Sequence, residues 1–120
     1  QAEGMNATVV LLHLEFFQSG LATRVPGTIL TDLLATSIRS RDHLLPWRDD
    51  LYLLLLPGSD RTAAVEVADR LVRKVQRWAQ RKRLMMRAAV GAAAIAEGAG
   101  TAPSVVQLAV QRLRHVDYID

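Results

Sequence analysis

ATVVLLHLEFF, residues 7–17, is the stretch of this sequence that decides the fold. Its apolar residues run almost without interruption, which is typical of a strand buried on both faces rather than of a one-sided surface strand. Because side chains alternate along a strand, two faces are predicted, one with Val10, Leu12, Leu14 and Phe16 and the other with Val9, Leu11, His13 and Glu15. We therefore expect a central strand whose second face becomes polar toward its end.

The residues after this strand predict a helix and then a hairpin. Residues 18–27, QSGLATRVPG, are interpreted as a short, irregular connection. From Pro26 onward the apolar residues have helical spacing, at Ile29, Leu30, Leu33, Leu34 and Ile38. Two apolar runs, HLLPW and LYLLLL, flank the charged residues 48–50 and predict a β-hairpin. Pro46 places the first of its strands at a sheet edge.

The second half of the chain predicts a long helix, a strand and a last helix. Ser59 or Asp60 is a suitable N-cap for the long helix. Its inward residues are predicted to be Ala64, Val67, Ala68, Leu71, Val75 and Trp78. Residues 84–96, LMMRAAVGAAAIA, are interpreted as a strand. Ser104 is predicted to cap a helix that ends near Arg114, and VDYID to form a short final strand.

The predicted order β-α-β-β-α-β-α indicates the α+β class. A split βαββαβ of this kind makes a ferredoxin-like antiparallel sheet with helices packed on one face. A chain of 120 residues suits one domain, which we assign to residues 7–120. Residues 1–6 are interpreted as a linker or a cloning remnant.

Composition restricts the classes of function. The sequence has no cysteine, which excludes disulfides and thiolate metal sites and fits a reducing, cytoplasmic setting. Its longest apolar stretches are shorter than the roughly 18–20 residues of a membrane helix, so we expect no membrane insertion. The net charge is +3, and thirteen of the 15 basic residues are arginine, which suits bidentate recognition of anions.

With the elements in this order, the motifs resemble those of the GGDEF family of diguanylate cyclases over roughly residues 8–115. RDDLY followed by LLLLPGSD is similar to the family's signature hairpin. ADRLVRKV resembles its next helix, RAAVGAA its later strand, and LLHLEFF its first strand. The resemblance implies a GGDEF-like fold and a link to cyclic di-GMP.

The residues that the cyclase chemistry requires are replaced. The first metal carboxylate of the family falls on His13, and imidazole is a poor ligand for Mg²⁺. The signature glutamate falls on Leu51, and the two signature glycines fall on Arg48 and Asp49. Of the five signature positions, only two keep the family's type of residue: Asp50 is acidic and Tyr52 is aromatic. We therefore expect no enzyme activity, no catalytic residues, no metal site and no cofactor.

One family motif is intact. Many GGDEF domains have a product-inhibition site, Arg-x-x-Asp, that ends five residues before the signature. Arg39 and Asp42 meet this spacing. An arginine can bind a phosphate or a guanine edge with two hydrogen bonds, and a carboxylate can accept from guanine N–H groups. The resemblance adds Arg70 from the next helix, and Arg41 is a further candidate.

The resulting hypothesis is an inactive GGDEF domain that binds cyclic di-GMP through Arg39, Asp42, Arg70 and Arg41. Such domains occur in regulators of exopolysaccharide secretion of the BcsE and PelD type, so the expected partners are other domains or subunits of a secretion or signalling assembly. The alternative is an interaction or dimerisation module that no longer binds nucleotide. The strands lack the aromatic pairs that stack on bases, so nucleic acid is not an expected partner.

Several other residues have a structural interpretation beside a functional one. His13 is interpreted as a packed histidine rather than a ligand, because no Cys or clustered His completes a site. Glu15 alone does not make a metal site. Trp47 and Trp78 are more often packing residues than purine platforms. The second Arg-x-x-Asp, from Arg114 to Asp117, is interpreted as charge at a helix end.

Overall fold

The structure, a computed structural model, describes residues 7–48, 50–95 and 102–116. Within these residues the chain forms six strands and three helices, which confirms the α+β class. In chain order they are β1 (Ala7–Gln18), β2 (Leu21–Thr23), α1 (Gly27–Ala35), β3 (His43–Arg48), β4 (Leu51–Pro57), α2 (Arg61–Arg81), β5 (Met85–Ala94), α3 (Ala102–Gln111) and β6 (Arg114–Val116).

All the strands belong to one antiparallel sheet with the order β3-β4-β1-β5-β6. The predicted central strand β1 pairs with β4 on one side, where Val10 faces Leu54, and with β5 on the other, where Val10 faces Ala92. The predicted hairpin is also confirmed, and β3 is an edge strand. A register shift between Pro46 and Arg48 accommodates the proline.

The connection after β1 is more regular than expected. Instead of an irregular segment, the chain turns back and forms β2, which pairs with the end of β1 from Phe16 opposite Thr23 to Gln18 opposite Leu21. Ser19 and Gly20 form the turn with φ values of 53° and 81°. Two consecutive residues in this left-handed region match the twist of a two-residue hairpin, and glycine occupies it without strain.

The helices lie on both faces of the sheet, so the prediction of helices on one face is wrong. Helices α1 and α2 cover the face that contains Val10 and Leu12, with Leu34 and Leu71 fully buried between the layers. Helix α3 covers the opposite face, where Val105 and Ala109 pack on residues that include Val9, Leu11 and Ala93. The reason is that β1 is apolar on both faces and needs cover on each.

Gly91 explains how α3 comes so close to the sheet. A Cβ atom at this position would lie 2.1 Å from the carbonyl oxygen of Ala109 and 2.9 Å from the backbone nitrogen of Leu113. No side chain fits in this space, so the backbone of α3 rests directly on β5.

The helix boundaries confirm some predictions and correct others. Asp60 is the N-cap of α2, and its carboxylate accepts a hydrogen bond from the backbone nitrogen of Ala63 at 2.8 Å. Helix α3 begins at Ala102, so Ser104 lies inside the helix and is not its cap. Arg114 begins β6 rather than ending a helix. Of the predicted final strand, residues 117–120 lie outside the described residues.

Replacing Asp60 with alanine should lower the free energy of unfolding by about 1 kcal/mol, because the capping hydrogen bond to Ala63 is lost. Urea denaturation measures the change. Asp60→Ser is the matched control, since serine also accepts from the first turn of a helix, and it should recover most of the loss. Equal stability of wild type and Asp60→Ala would contradict the capping role.

In the part of the chain that the structure describes, no helix combines the length and apolarity needed to cross a lipid bilayer.

Candidate functional site

The intact Arg-x-x-Asp motif lies at the corner between α1 and β3. The backbone nitrogen of Ser37 donates to the carbonyl oxygen of Leu34, which closes the helix end. The backbone nitrogen of Asp42 then donates to the carbonyl oxygen of Arg39 at 3.0 Å, which forms a tight turn just before β3 begins. Residues 39 and 42 are therefore held next to each other by the backbone alone.

Arg39 and Asp42 form a bidentate ion pair. Nε of Arg39 donates to Oδ2 of Asp42 at 3.2 Å, and Nη2 donates to Oδ1 at 3.0 Å. The backbone nitrogen of Arg39 also donates to Oδ2, at 2.9 Å. The carboxylate is only 2% exposed, whereas the arginine side chain is 45% exposed. In this arrangement Asp42 uses both oxygens to hold Arg39, and the guanidinium is the group that faces solvent.

Arg39 also connects this corner to the turn between β4 and α2. Its Nη2 donates to the carbonyl oxygen of Pro57 at 3.2 Å and to Oγ of Ser59 at 3.1 Å. Ser59 is buried, and its carbonyl oxygen accepts from Oγ1 of Thr8 on β1 at 2.8 Å. Arg39 is thus held both by Asp42, which is three residues away, and by the turn that contains Pro57 and Ser59. Its position is therefore well defined.

Arg41 lies beside the same turn. Its guanidinium is 3.5–3.9 Å from the point where a Cβ of Gly58 would be. Gly58 has a φ of +79°, which favours glycine for conformational reasons as well. Arg39 and Arg41 therefore place two cationic groups around the start of α2.

The electrostatics of the corner favour a charged Asp42. Burial alone would raise the pKa of this carboxyl group, but the hydrogen bonds and charge of Arg39, together with the charge of Arg41, outweigh burial and hold the pKa of Asp42 below its usual value. The pair is ionised at neutral pH, and its net charge with Arg41 is positive.

Arg70 lies in a neighbouring cationic groove, which we define as the cavity of about 360 Å³ lined by Ser37, Arg70, Arg73, Lys74 and Arg77. Lys74 Nζ donates to Oγ of Ser37 at 2.9 Å and also contacts Oγ1 of Thr36, which ties α2 to the end of α1. Arg73 pairs with Asp69 on the same helix. Among the described residues, Arg70 has no hydrogen-bond or ion-pair partner. Arg70 thus lines the same groove as Ser37, which precedes Arg39 by two residues in the chain.

A second polar cluster consists of His13, Glu15 and Asp50, three residues that the sequence had singled out separately. Nε2 of His13 and Oδ2 of Asp50 lie 2.9 Å apart, and one ligand atom each from His13, Glu15 and Asp50 all lie within 4.8 Å of one another. The sequence does place His13 and Glu15 on one face of β1. What it does not reveal is that the turn between β3 and β4 brings Asp50 to that face.

Of the remaining singled-out residues, Tyr52 and Trp78 pack in the core. Trp78 packs on the core with its ring edge-on to Phe16, 6.1 Å between centroids. Tyr52 is buried. Its burial, and to a smaller extent the negative charge of Asp50, raises the pKa of its phenol. Trp47 is 47% exposed on the edge strand. Of the second Arg-x-x-Asp, Asp117 lies outside the described residues, as does Asp49 of the signature turn.

The comparison of this chain with models of known protein families found no match. A search of curated protein sequences found none either. The resemblance to GGDEF domains therefore stays a prediction from the order and spacing of the motifs in the sequence.

Proposed function

We propose that this domain is a catalytically inactive GGDEF-like domain that binds cyclic di-GMP at the arginine corner, defined as Arg39, Asp42 and Arg41, with Arg70 from the adjacent groove. The observation that carries the proposal is the fixed position of Arg39, which Asp42, Ser59 and Pro57 hold while the guanidinium stays accessible. Pre-organisation of this kind lowers the entropy cost of binding an anion.

The roles of the four residues follow from their exposure. Arg39 is the group that contacts a phosphate or the O6 and N7 edge of guanine. Asp42 acts through Arg39 as a positioning residue, because its buried carboxylate is fully engaged by that arginine. Arg41 and Arg70 supply further positive charge for a ligand with two phosphates.

The proposed fold relation is the ferredoxin-like split βαββαβ. The antiparallel order β3-β4-β1-β5 and the position of α1 and α2 on one face support it, with β2 treated as an addition to the N-terminal strand. The lack of activity is proposed because Leu51 replaces the signature glutamate. The proposed setting is the cytoplasm, and the proposed targets are other domains or subunits of an assembly that controls exopolysaccharide secretion.

The test is calorimetry with cyclic di-GMP. We expect wild type to bind with a dissociation constant in the micromolar range or below, roughly −8 kcal/mol or better. Arg39→Ala and Asp42→Ala should each weaken binding by about tenfold or more, because a charge-assisted hydrogen bond or its positioning is lost. Arg81→Ala is the matched control: it lies on α2 eleven residues after Arg70, roughly 16 Å along the helix, and should bind like wild type.

Three results would count against this function. Equal affinity of wild type, Arg39→Ala and Arg81→Ala would remove the arginine corner as the site. A flat titration with wild-type protein would favour the alternative, an interaction or dimerisation module without a nucleotide ligand. GTP turnover in the presence of Mg²⁺ would instead show that the domain is an enzyme.

A further inference from the structure

The end of the sheet where β1 turns into β2 exposes two large apolar side chains. Leu21 and Met85 are 73% and 69% exposed, the highest values among the large apolar residues that the structure describes. Leu21 begins β2 and Met85 begins β5. They pair with Gln18 and Phe17 on opposite sides of β1, so two strand spacings, roughly 10 Å, separate them. Exposed apolar side chains that lie close together are typical of an interaction surface.

A run of basic residues ends at the same end of the sheet. Residues 70–83 contain seven of the 15 basic residues of the sequence and none of its 12 acidic residues. The last two, Lys82 and Arg83, are exposed and lie in the turn that connects α2 to β5. On β5, Arg87 is also exposed, and its guanidinium lies over the ring of Phe17, 5.6 Å from the centroid. The exposed apolar side chains therefore lie among cations.

Arg83 occupies a backbone conformation that favours glycine. Its φ is 59°, in the left-handed region, and it follows Lys82, the C-cap of α2. The backbone nitrogen of Arg83 donates to the carbonyl oxygen of Gln80 at 3.0 Å. That of Leu84 donates to the carbonyl oxygen of Ala79 at 2.8 Å, which completes a Schellman motif. Because a side chain at this position costs conformational free energy, arginine here points to a role for its exposed guanidinium.

We propose that this end of the molecule binds the surface of an anionic phospholipid bilayer. We call it the basic tip and define it as Leu21, Lys82, Arg83, Met85 and Arg87. The three cations bind lipid phosphates, and the two apolar side chains enter the boundary between the headgroups and the acyl chains. Base stacking on a nucleic acid requires aromatic rings, whereas the exposed side chains between these cations are aliphatic. The combination therefore favours lipid over a nucleic acid.

The strand pairing determines how the bilayer surface approaches. Paired residues share a face of the sheet, so Met85 lies on the face of Phe17, and Leu21 lies on the opposite face with Gln18. A flat surface reaches both side chains only when it meets the sheet end-on. The contact is therefore peripheral, with two side chains in the headgroup region and the strands outside it.

The basic tip is separate from the arginine corner. Pro57, which contacts Arg39, pairs with Ala7 at the start of β1, whereas Leu21 pairs with Gln18 at its end. Eleven residues of extended strand place the two sites roughly 35 Å apart. Lipid binding therefore does not depend on the proposed nucleotide site, and the loss of each can be observed independently.

The experiment is co-sedimentation of the protein with vesicles made of equal parts of phosphatidylglycerol and phosphatidylcholine. Wild type should bind these vesicles at low salt, should dissociate as the salt concentration rises, and should not bind phosphatidylcholine alone. Arg83→Gln should weaken binding about fivefold, the contribution of one basic residue at an anionic surface. Arg61→Gln is the matched control, because Arg61 lies at the first residue of α2, roughly 30 Å away, and should bind like wild type.

A second pair of variants tests the apolar contact. The double variant Leu21→Ser/Met85→Ser should weaken vesicle binding at least fivefold, because two apolar side chains no longer enter the bilayer. Val65→Ser removes an exposed apolar residue near the other end of α2 and should bind like wild type. Duplex DNA should not bind at the salt concentration at which the vesicles do.

Arg83→Gly separates lipid binding from folding. Glycine relieves the left-handed backbone, so this variant should unfold at a higher temperature than wild type and yet bind vesicles as weakly as Arg83→Gln. Wild-type affinity in Arg83→Gly or in the double serine variant would overturn the proposal. Absence of vesicle binding in wild type, or equal binding to phosphatidylcholine alone, would overturn it as well. Binding to duplex DNA that Arg83→Gln weakens and the double serine variant keeps would assign the cations to a nucleic acid instead.

Discussion

Alanine at Gly91 should destabilise the domain by about 3 kcal/mol or more, the upper part of the range for overpacked interiors. The added methyl group would lie 2.1 Å from the carbonyl oxygen of Ala109, which belongs to a backbone and cannot rotate away. Helix α3 must move off the sheet, and the contacts of Val105 and Ala109 with β1 and β5 weaken with it. Urea denaturation followed by circular dichroism measures the loss.

Gly27→Ala is the control for this substitution. The new Cβ would find only the phenolic oxygen of Tyr52, at an ordinary contact distance of 3.8 Å. Gly27 is the first residue of α1, so alanine should leave stability unchanged or raise it by up to about 1 kcal/mol. If Gly91→Ala were as stable as Gly27→Ala, α3 could not rest on β5 at the observed distance.

The second large effect is expected at Asp42. Asp42→Asn should lower the free energy of unfolding at neutral pH by about 2 kcal/mol, because charged hydrogen bonds to Arg39 are lost from a carboxylate that is 2% exposed. Asp69→Asn is the matched control. Asp69 pairs with Arg73 on the surface of α2, where an ion pair contributes roughly 0–1 kcal/mol.

The contribution of Asp42 to the free energy of unfolding should decrease as the pH is lowered. Its pKa is lower in the folded protein than the ordinary value of about 3.9, so the stabilisation is complete above about pH 5 and is lost as the pH falls through the folded-state pKa. Wild type should therefore lose stability relative to Asp42→Asn in acid. Parallel curves for the two proteins from pH 6 to pH 2 would contradict the ionised, buried pair.

Much of the sheet was predictable from local pattern, whereas β2 and the position of α3 were not. The long apolar run of β1 and the two runs around residues 48–50 contain enough periodicity to identify strands. Strand β2 has only three residues, which is too short for an alternation of apolar and polar side chains to be recognised. Its leucine, Leu21, is 73% exposed. Helical periodicity reveals that α3 has an apolar face, but it does not reveal which face of the sheet that helix covers.

The same distinction between local and long-range contacts applies to the arginine corner and to the cluster of His13, Glu15 and Asp50. Arg39 and Asp42 are three residues apart, so their proximity follows from the turn itself. The contacts of Arg39 with Pro57 and Ser59 span 18 and 20 residues and depend on how the hairpin packs. The approach of Asp50 to His13 likewise depends on the register of β1 and β4, which no short motif in the sequence encodes.

The edge position of β3 has a consequence for the behaviour of the protein in concentrated solution. An outer strand with exposed Leu45 and Trp47 is a template on which another chain could add by backbone hydrogen bonding and begin an aggregate. Pro46 lies between these two residues and has no amide hydrogen to donate, and the adjacent register shift bends the strand. We therefore expect Pro46 to oppose the addition of another chain to this edge of the sheet.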